Sequence, residues 1–236
     1  MRDRRGISLM ELMVSIGIMS IVIAGAFQVF REGILLFRTN QAAAEAQSSA
    51  IKALGMLNAE LSNSRHELIR LYDSPPGVVF ASSITPQGQA QFDQQTGQIY
   101  WQRLICYYFE AHPTDPSLGR LIRKERPLDD GDTNGAGRTG NTDVEEVADE
   151  MDDQDTADFA AASDTETRTL GHDVCGFEVT EFTGEVDDGA GTRDFLGGAS
   201  VERKRSYDIR LEAGHPTDKG PASYYIRVDS RVTPRG

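Results

Sequence analysis

The sequence predicts an α+β protein: one long N-terminal helix packed on an antiparallel β-sheet domain. Three observations predict it. No residue between Leu12 and Phe30 is charged. From Ala50 to Leu71 the apolar residues Ala50, Leu54, Leu57, Leu61, Leu68 and Leu71 keep three-and-four spacing, which lines one face of a helix. After Pro75-Pro76-Gly77 the chain turns to β-branched and aromatic runs separated by turn residues.

The uncharged stretch comes first. Its 19 residues are close to the roughly 20 that a helix needs to cross the hydrocarbon core of a bilayer. Arg2, Arg4 and Arg5 precede it, and the positive-inside rule places that end in the cytoplasm and the rest of the chain across the membrane. No small-x-small cleavage site follows the apolar run, as a secretory signal peptide would require. No proline or turn cluster interrupts the chain before residue 73, so the helix is expected to run over 7–72, roughly 95 Å at 1.5 Å per residue. Its first half is apolar all round. Its second half has one apolar stripe opposite Lys52, Asn58, Glu60, Ser62, Arg65 and Glu67.

Strands are expected at Val78–Ala81, Ile99–Phe109, Leu118–Arg126, Asp173–Phe182, Arg205–Leu211 and Tyr224–Val232. Tyr207, Ile209 and Leu211 alternate with Ser206, Asp208 and Arg210, which marks a sheet with one buried face. Val174, Phe177 and Val179 point inward only if the pattern slips at Gly176, which predicts a bulge there, and Phe182 is expected to join them inside. Short turn-rich connections make the sheet antiparallel. The β-rich domain thus spans 73–236.

Its 129–166 segment stands apart. The chain carries a net charge of −13, and 14 of its 37 acids lie here with one base, Arg138. That excess equals the whole net charge. Large apolar residues are few (Val144, Val147, Met151, Phe159), so the expectation is a solvated insertion. A short helix over 144–159 would work against its own like charges. Asp130-Gly131-Asp132-Thr133-Asn134-Gly135 matches the opening of a calcium loop, with oxygen ligands at positions one, three and five and glycine at six. Asp130, Asp132 and Asn134 are the candidate ligands for Ca2+. Asn141 stands at position twelve instead of a bidentate Glu, so closure would fall to Asp143, Glu145 or Glu146.

Two cysteines, Cys106 and Cys175, are compatible with one disulfide in an exported domain, closing a loop of about 70 residues worth about 4 kcal/mol. The alternative is two buried thiols. The four histidines are scattered and none has metal-ligand spacing. No nucleophile motif or phosphate loop occurs, so no enzymatic activity and no required cofactor are expected. No basic patch suits nucleic acid.

The N-terminal motif carries the most specific signal. Gly6-Ile7-Ser8-Leu9-Met10-Glu11-Leu12-Met13-Val14-Ser15-Ile16 resembles the leader of type IV pilins and type II secretion pseudopilins. The resemblance implies that a prepilin peptidase cuts after Gly6 and methylates the amine of Ile7, and that Glu11 becomes the fifth residue. A carboxylate at the edge of an apolar span costs about 2.5–3.5 kcal/mol, which demands a partner. The family implies one, the amine of a neighbouring subunit, giving Glu11 a role in assembly. Residues 1–6 are then a cytoplasmic leader. Gln28 stands where many major pilins have proline, which leans towards a minor subunit.

The order of helix, strands, insertion and strands resembles W-type minor pilins and J-type pseudopilins. The expected function is therefore a minor pilin that primes or caps a type IV pilus. The runner-up is a J-type pseudopilin of type II secretion. The expected partners are prepilin peptidase, other minor and major pilins or pseudopilins, the inner-membrane assembly platform and the membrane. A rival of another class is a single-span anchored periplasmic binding domain that keeps its leader.

Overall fold

The computed structural model describes residues 8–85, 88–90, 92, 96–128, 140–163, 165–183, 205–214 and 225–234. The chain divides at Ala44 into two compact units, 1–44 and 45–236. One helix, α1 (Leu9–Leu61), begins in the first and ends in the second.

The second unit holds a seven-stranded antiparallel sheet in which spatial order follows chain order. Its strands are β1 (Ile69–Asp73), β2 (Pro76–Ser82), β3 (Arg103–His112), β4 (Asp115–Pro127), β5 (Glu166–Thr183), β6 (Arg205–Gly214) and β7 (Tyr225–Val232). The α+β expectation holds. The helix ends at Leu61, three turns before the expected end at Tyr72. Leu68 lies in a 3-10 turn (His66–Leu68), and Leu71 lies in β1. A leucine every three to four residues suits either period over so short a stretch. Pairing decides the matter, because Ile69–Asp73 finds a partner in Phe80–Pro76. Pro75 therefore serves a β1–β2 turn, not a helix end, and Gly77 lies in β2 opposite Tyr72. A Cβ on Gly77 would lie 2.4 Å from the Tyr107 carbonyl oxygen and 2.8 Å from the Thr156 methyl, so the strand admits only glycine there.

One face of the sheet receives the end of α1. Ala50, Ala53, Leu54, Leu57 and Leu61 are buried against Val78, Phe80, Ile105, Tyr107, Leu121, Val174, Phe177, Tyr207, Ile209, Leu211, Ala213 and Val232. The small residues on the helix let it approach closely. Phe80 and Tyr107 stack with ring centres 6.0 Å apart. Polar links then fix the helix in place. The Tyr107 hydroxyl donates to Glu60 (2.5 Å), and Arg123 donates to the same carboxylate through Nε (3.1 Å) and a terminal nitrogen (2.8 Å). Arg123 also pairs with Glu125 at 2.7 Å, and Glu125 with Arg103 at 2.6 Å. Two acids and two guanidiniums make this chain of charges neutral, as burial requires. At the helix's flank, Ser49 donates to the Leu170 carbonyl and Asn58 to the Ser230 hydroxyl.

The opposite face is where the sequence misleads. Residues 140–163 fold, as α2 (Val144–Asp152) and α3 (Thr156–Ala161). Val147, Met151 and Phe159 are buried with Leu68, Val79, Ala81, Leu104, Cys106, Tyr108 and Ile122. The like charges do not prevent this, because several are spent at helix starts. Asp143 caps α2, accepting from the Glu145 amide, and Asp155 and Asp158 form a capping box on α3. At the other end of α3, the buried Lys124 ammonium donates to the carbonyls of Phe159 (2.8 Å), Ala160 (3.1 Å) and Ala162 (2.8 Å). A strand residue thus satisfies the orphan carbonyls of a helix. Arg70 to Asp152, Tyr72 to the Gln154 carbonyl and Thr156 to the Pro75 carbonyl tie the insertion to the β1–β2 end.

β5 carries the expected bulge, with a register shift between Val174 and Gly176. Phe182, expected inside, is 48% exposed, with the Arg231 guanidinium 4.8 Å from its ring centre.

Replacing Lys124 by Met should leave three carbonyls without a donor. We expect a loss of about 2–3 kcal/mol in denaturant unfolding, with amide exchange speeding up first in 156–163. The acid limb of stability should depend on Glu125. Burial alone would raise its pKa, but the hydrogen bonds and charge of Arg123, followed by Arg103, hold it below the usual range. Its contribution is therefore present above the unfolded-state pKa and lost as pH falls through the folded value. In acid titrations of unfolding free energy, Glu125→Gln should flatten that decline.

Candidate functional site

The first unit begins with Ser8. Its hydroxyl accepts from the Glu11 amide (3.2 Å) and its carbonyl accepts from the Leu12 amide (3.1 Å), so Ser8 caps α1. Sequence reasoning missed this cap, although S-x-x-E spacing from Ser8 to Glu11 is a signal that could have found it. Glu11 therefore sits in the first turn of the helix, where the amide dipoles favour a negative charge. Its side chain is exposed. The geometry leaves that carboxylate accessible to a group outside the chain.

From Leu9 to Phe37 the helix exposes its large apolar side chains, including Leu9 (76%), Ile21 (75%) and Phe27 (72%). It is long and apolar enough to cross a membrane. The few hydroxyls within it do not spoil that surface. Ser15 donates to the Glu11 carbonyl and Ser20 to the Ile16 carbonyl, both at 2.8 Å, and Thr39 repeats the bond to Leu35 at 2.9 Å. Each hydroxyl finds its acceptor one turn back on its own helix, as a lipid solvent demands.

Gly6 and Ile7, the residues of the expected cleavage, lie outside the described residues, as do Asp130, Asp132 and Asn134 of the expected calcium loop. Asn141 bridges to Trp101 and its side-chain amide donates to Glu146 at 2.8 Å, while Asp143 caps α2.

The expected disulfide does not form between Cys106 and Cys175. Cys106 is paired with Lys124, and Lys124 with Thr167. Val174 is paired with Gly119, so Cys175 lies about six strand positions further along the sheet, roughly 20 Å away at 3.3 Å per residue. A bridge needs Cα atoms within about 7 Å. Cys106 instead packs in the second core, where burial pushes its thiol pKa well up. Such a thiol is inert.

Residues 1–27 match the family model of the prokaryotic N-terminal methylation motif. The match covers this end alone and supports its resemblance to type IV pilins and pseudopilins. The match spans the basic leader, the cap, Glu11 and most of the uncharged stretch. No curated protein and no solved structure matches the chain. The pilin motif implies processing by a prepilin peptidase and assembly with other pilins. With the apolar helix, it is consistent with single-pass anchoring in the inner membrane. In the second unit the sequence singled out none of the residues that fasten its layers, Glu60, Arg123 and Lys124. Their only signal was an acid on the polar side of a helix and bases within a strand run.

Proposed function

We propose that this chain is a minor pilin of a type IV pilus, a structural subunit that primes or caps the filament. It would act by packing and not by catalysis, and it would need no cofactor. The observation that carries the reading is the methylation motif running unbroken into α1, whose last turns seat on an antiparallel sheet.

In this reading the membrane holds the precursor through 12–30, with Arg2, Arg4 and Arg5 in the cytoplasm and the β-rich domain on the other side. Cleavage after Gly6 creates a charged amine on Ile7 inside an apolar layer. Glu11 is the only acid within that layer, and pairing the two across subunits removes the cost of burying either alone. The axial step of the filament then follows from the distance between the two groups. The absence of a helix-breaking proline at Gln28 and the added bulk of α2 and α3 favour a position occupied once per filament. A J-type pseudopilin shares the same motif, so the filament from which the chain is recovered decides between the two machines.

Mass measurement of the intact N-terminus, on protein taken from the membranes of its own host, tests the processing. The expected species starts at N-methylated Ile7. A species starting at Met1 or Arg2 would overturn the proposal in favour of an anchored domain. Glu11→Ala should be cleaved and inserted like the parent but be absent from sheared filaments, as read by immunoblot of the filament and membrane fractions. Normal incorporation of that variant would remove the assembly role.

A further inference from the structure

Three polar side chains lie in the uncharged stretch of α1: Ser15, Ser20 and Gln28. The two serines are satisfied on their own helix, at the Glu11 and Ile16 carbonyls. Gln28 is not. It is exposed and its side chain has no hydrogen bond among the described residues. Large apolar side chains stand exposed on both sides of it, Phe27, Val29 and Phe30 and then Ile34 to Phe37. A helical side chain leans towards the N-terminus of its helix. The positive-inside rule puts that end in the cytoplasm, so the Gln28 carboxamide is directed into the bilayer and away from the nearer, outer surface. In hydrocarbon a carboxamide without partners is costly, and a neighbouring helix is the usual source of them.

The residues around Gln28 suit one kind of neighbour. At about 100° per residue, Gly17, Ile21, Ala24 and Gly25 share its face. A Cβ on Gly17 or Gly25 would meet nothing within 4 Å, so that surface is open, and small residues let two helix axes approach closely. Arg31 and Glu32 flank the face one turn on, about 60° to one side and about 40° to the other. Neither forms an ion pair among the described residues. Opposite signs on opposite flanks are self-complementary. In a parallel two-fold pair the right flank of one helix meets the left flank of the other, so Arg31 faces Glu32 of the second copy, and Glu32 faces its Arg31. All copies carry Arg2, Arg4 and Arg5 and so share one orientation in the membrane, which makes the parallel arrangement the one available.

We propose that the Gln28 face of α1 binds a second copy of this chain in the membrane. The two carboxamides, each both donor and acceptor, satisfy one another between the helices. Ala24 and Gly25 permit the close approach, and the two Arg31–Glu32 pairs at the membrane boundary fix the two-fold register. A helix of another sequence would have to supply all three features at the same heights. The pair belongs to the membrane pool and not to the filament. It rests on the membrane reading of α1, and its failure leaves the cleavage and assembly readings standing.

The full, uncleaved chain would be followed by sedimentation equilibrium in density-matched neutral detergent micelles, over a range of protein-to-detergent ratios. A reversible dimer is expected. Gln28→Leu should weaken it about tenfold, and Gln28→Asn, which keeps a carboxamide, should stay within about threefold of the parent. Arg31→Glu and Glu32→Arg should each weaken self-association about tenfold, because like charges then meet at both flanks. An equimolar mixture of those two variants restores opposite charges at both flanks and should pair about as tightly as the parent. The fluorescence of Trp101, buried in the β-rich unit, checks that each variant keeps its fold. A monomer at every ratio, parent-like pairing in Gln28→Leu, or a mixture that pairs no better than its components would overturn the proposal.

Discussion

The last turns of α1 must bury one stripe against a sheet, while the first part of the same helix exposes apolar side chains on every side. Everything else in the β-rich unit follows from meeting the first demand. Ala50 and Ala53 keep the helix close, and Leu54, Leu57 and Leu61 supply the buried area. Glu60 then converts contact into register. It lies one position off the apolar stripe and takes donors from both β3 and β4. An apolar stripe alone would let a helix slide or roll on a sheet. A carboxylate held by three donors from two strands does not.

The second face solves a different problem. A seven-stranded sheet covered by one helix leaves the outer side of β1–β4 open, and its residues there are apolar: Val79, Ala81, Leu104, Cys106, Tyr108 and Ile122. The insertion closes that half with only three large buried side chains, Val147, Met151 and Phe159. The outer side of β5–β7 needs no cover. It carries Glu178, Asp208, Arg210, Arg227, Asp229 and Arg231, joined in ion pairs across three strands. Cover and charge thus divide one face between them.

Much of this was legible. The uncharged stretch, the alternation of the strands after residue 75, and the Gly176 bulge all come from patterns set by local geometry. The errors come from pairing and long-range packing. Leu68 and Leu71 fit a helix as well as a strand until Phe80 and Val78 are seen opposite Ile69 and Leu71. The acidic segment looked solvated because composition counts charges and not where they point. Three of its acids cap helices, and its sparse apolar residues all face one way. The cysteine pairing failed for a related reason: strand order is invisible in spacing. At the N-terminus the motif was legible because it is contiguous, while the groups that fasten Glu60 come from segments far apart in the chain.

Every strand in this sheet pairs with its neighbour in sequence. Loop-closure entropy grows with the length of chain between paired segments, so such a sheet can be built one hairpin at a time. β1–β2 and β3–β4 close over short turns. The β4–β5 pairing has the acidic insertion between its halves and closes over the longest connection in the sheet. A chain tethered by its first helix and delivered across a membrane from that end would have its early hairpins ready before the later strands arrive.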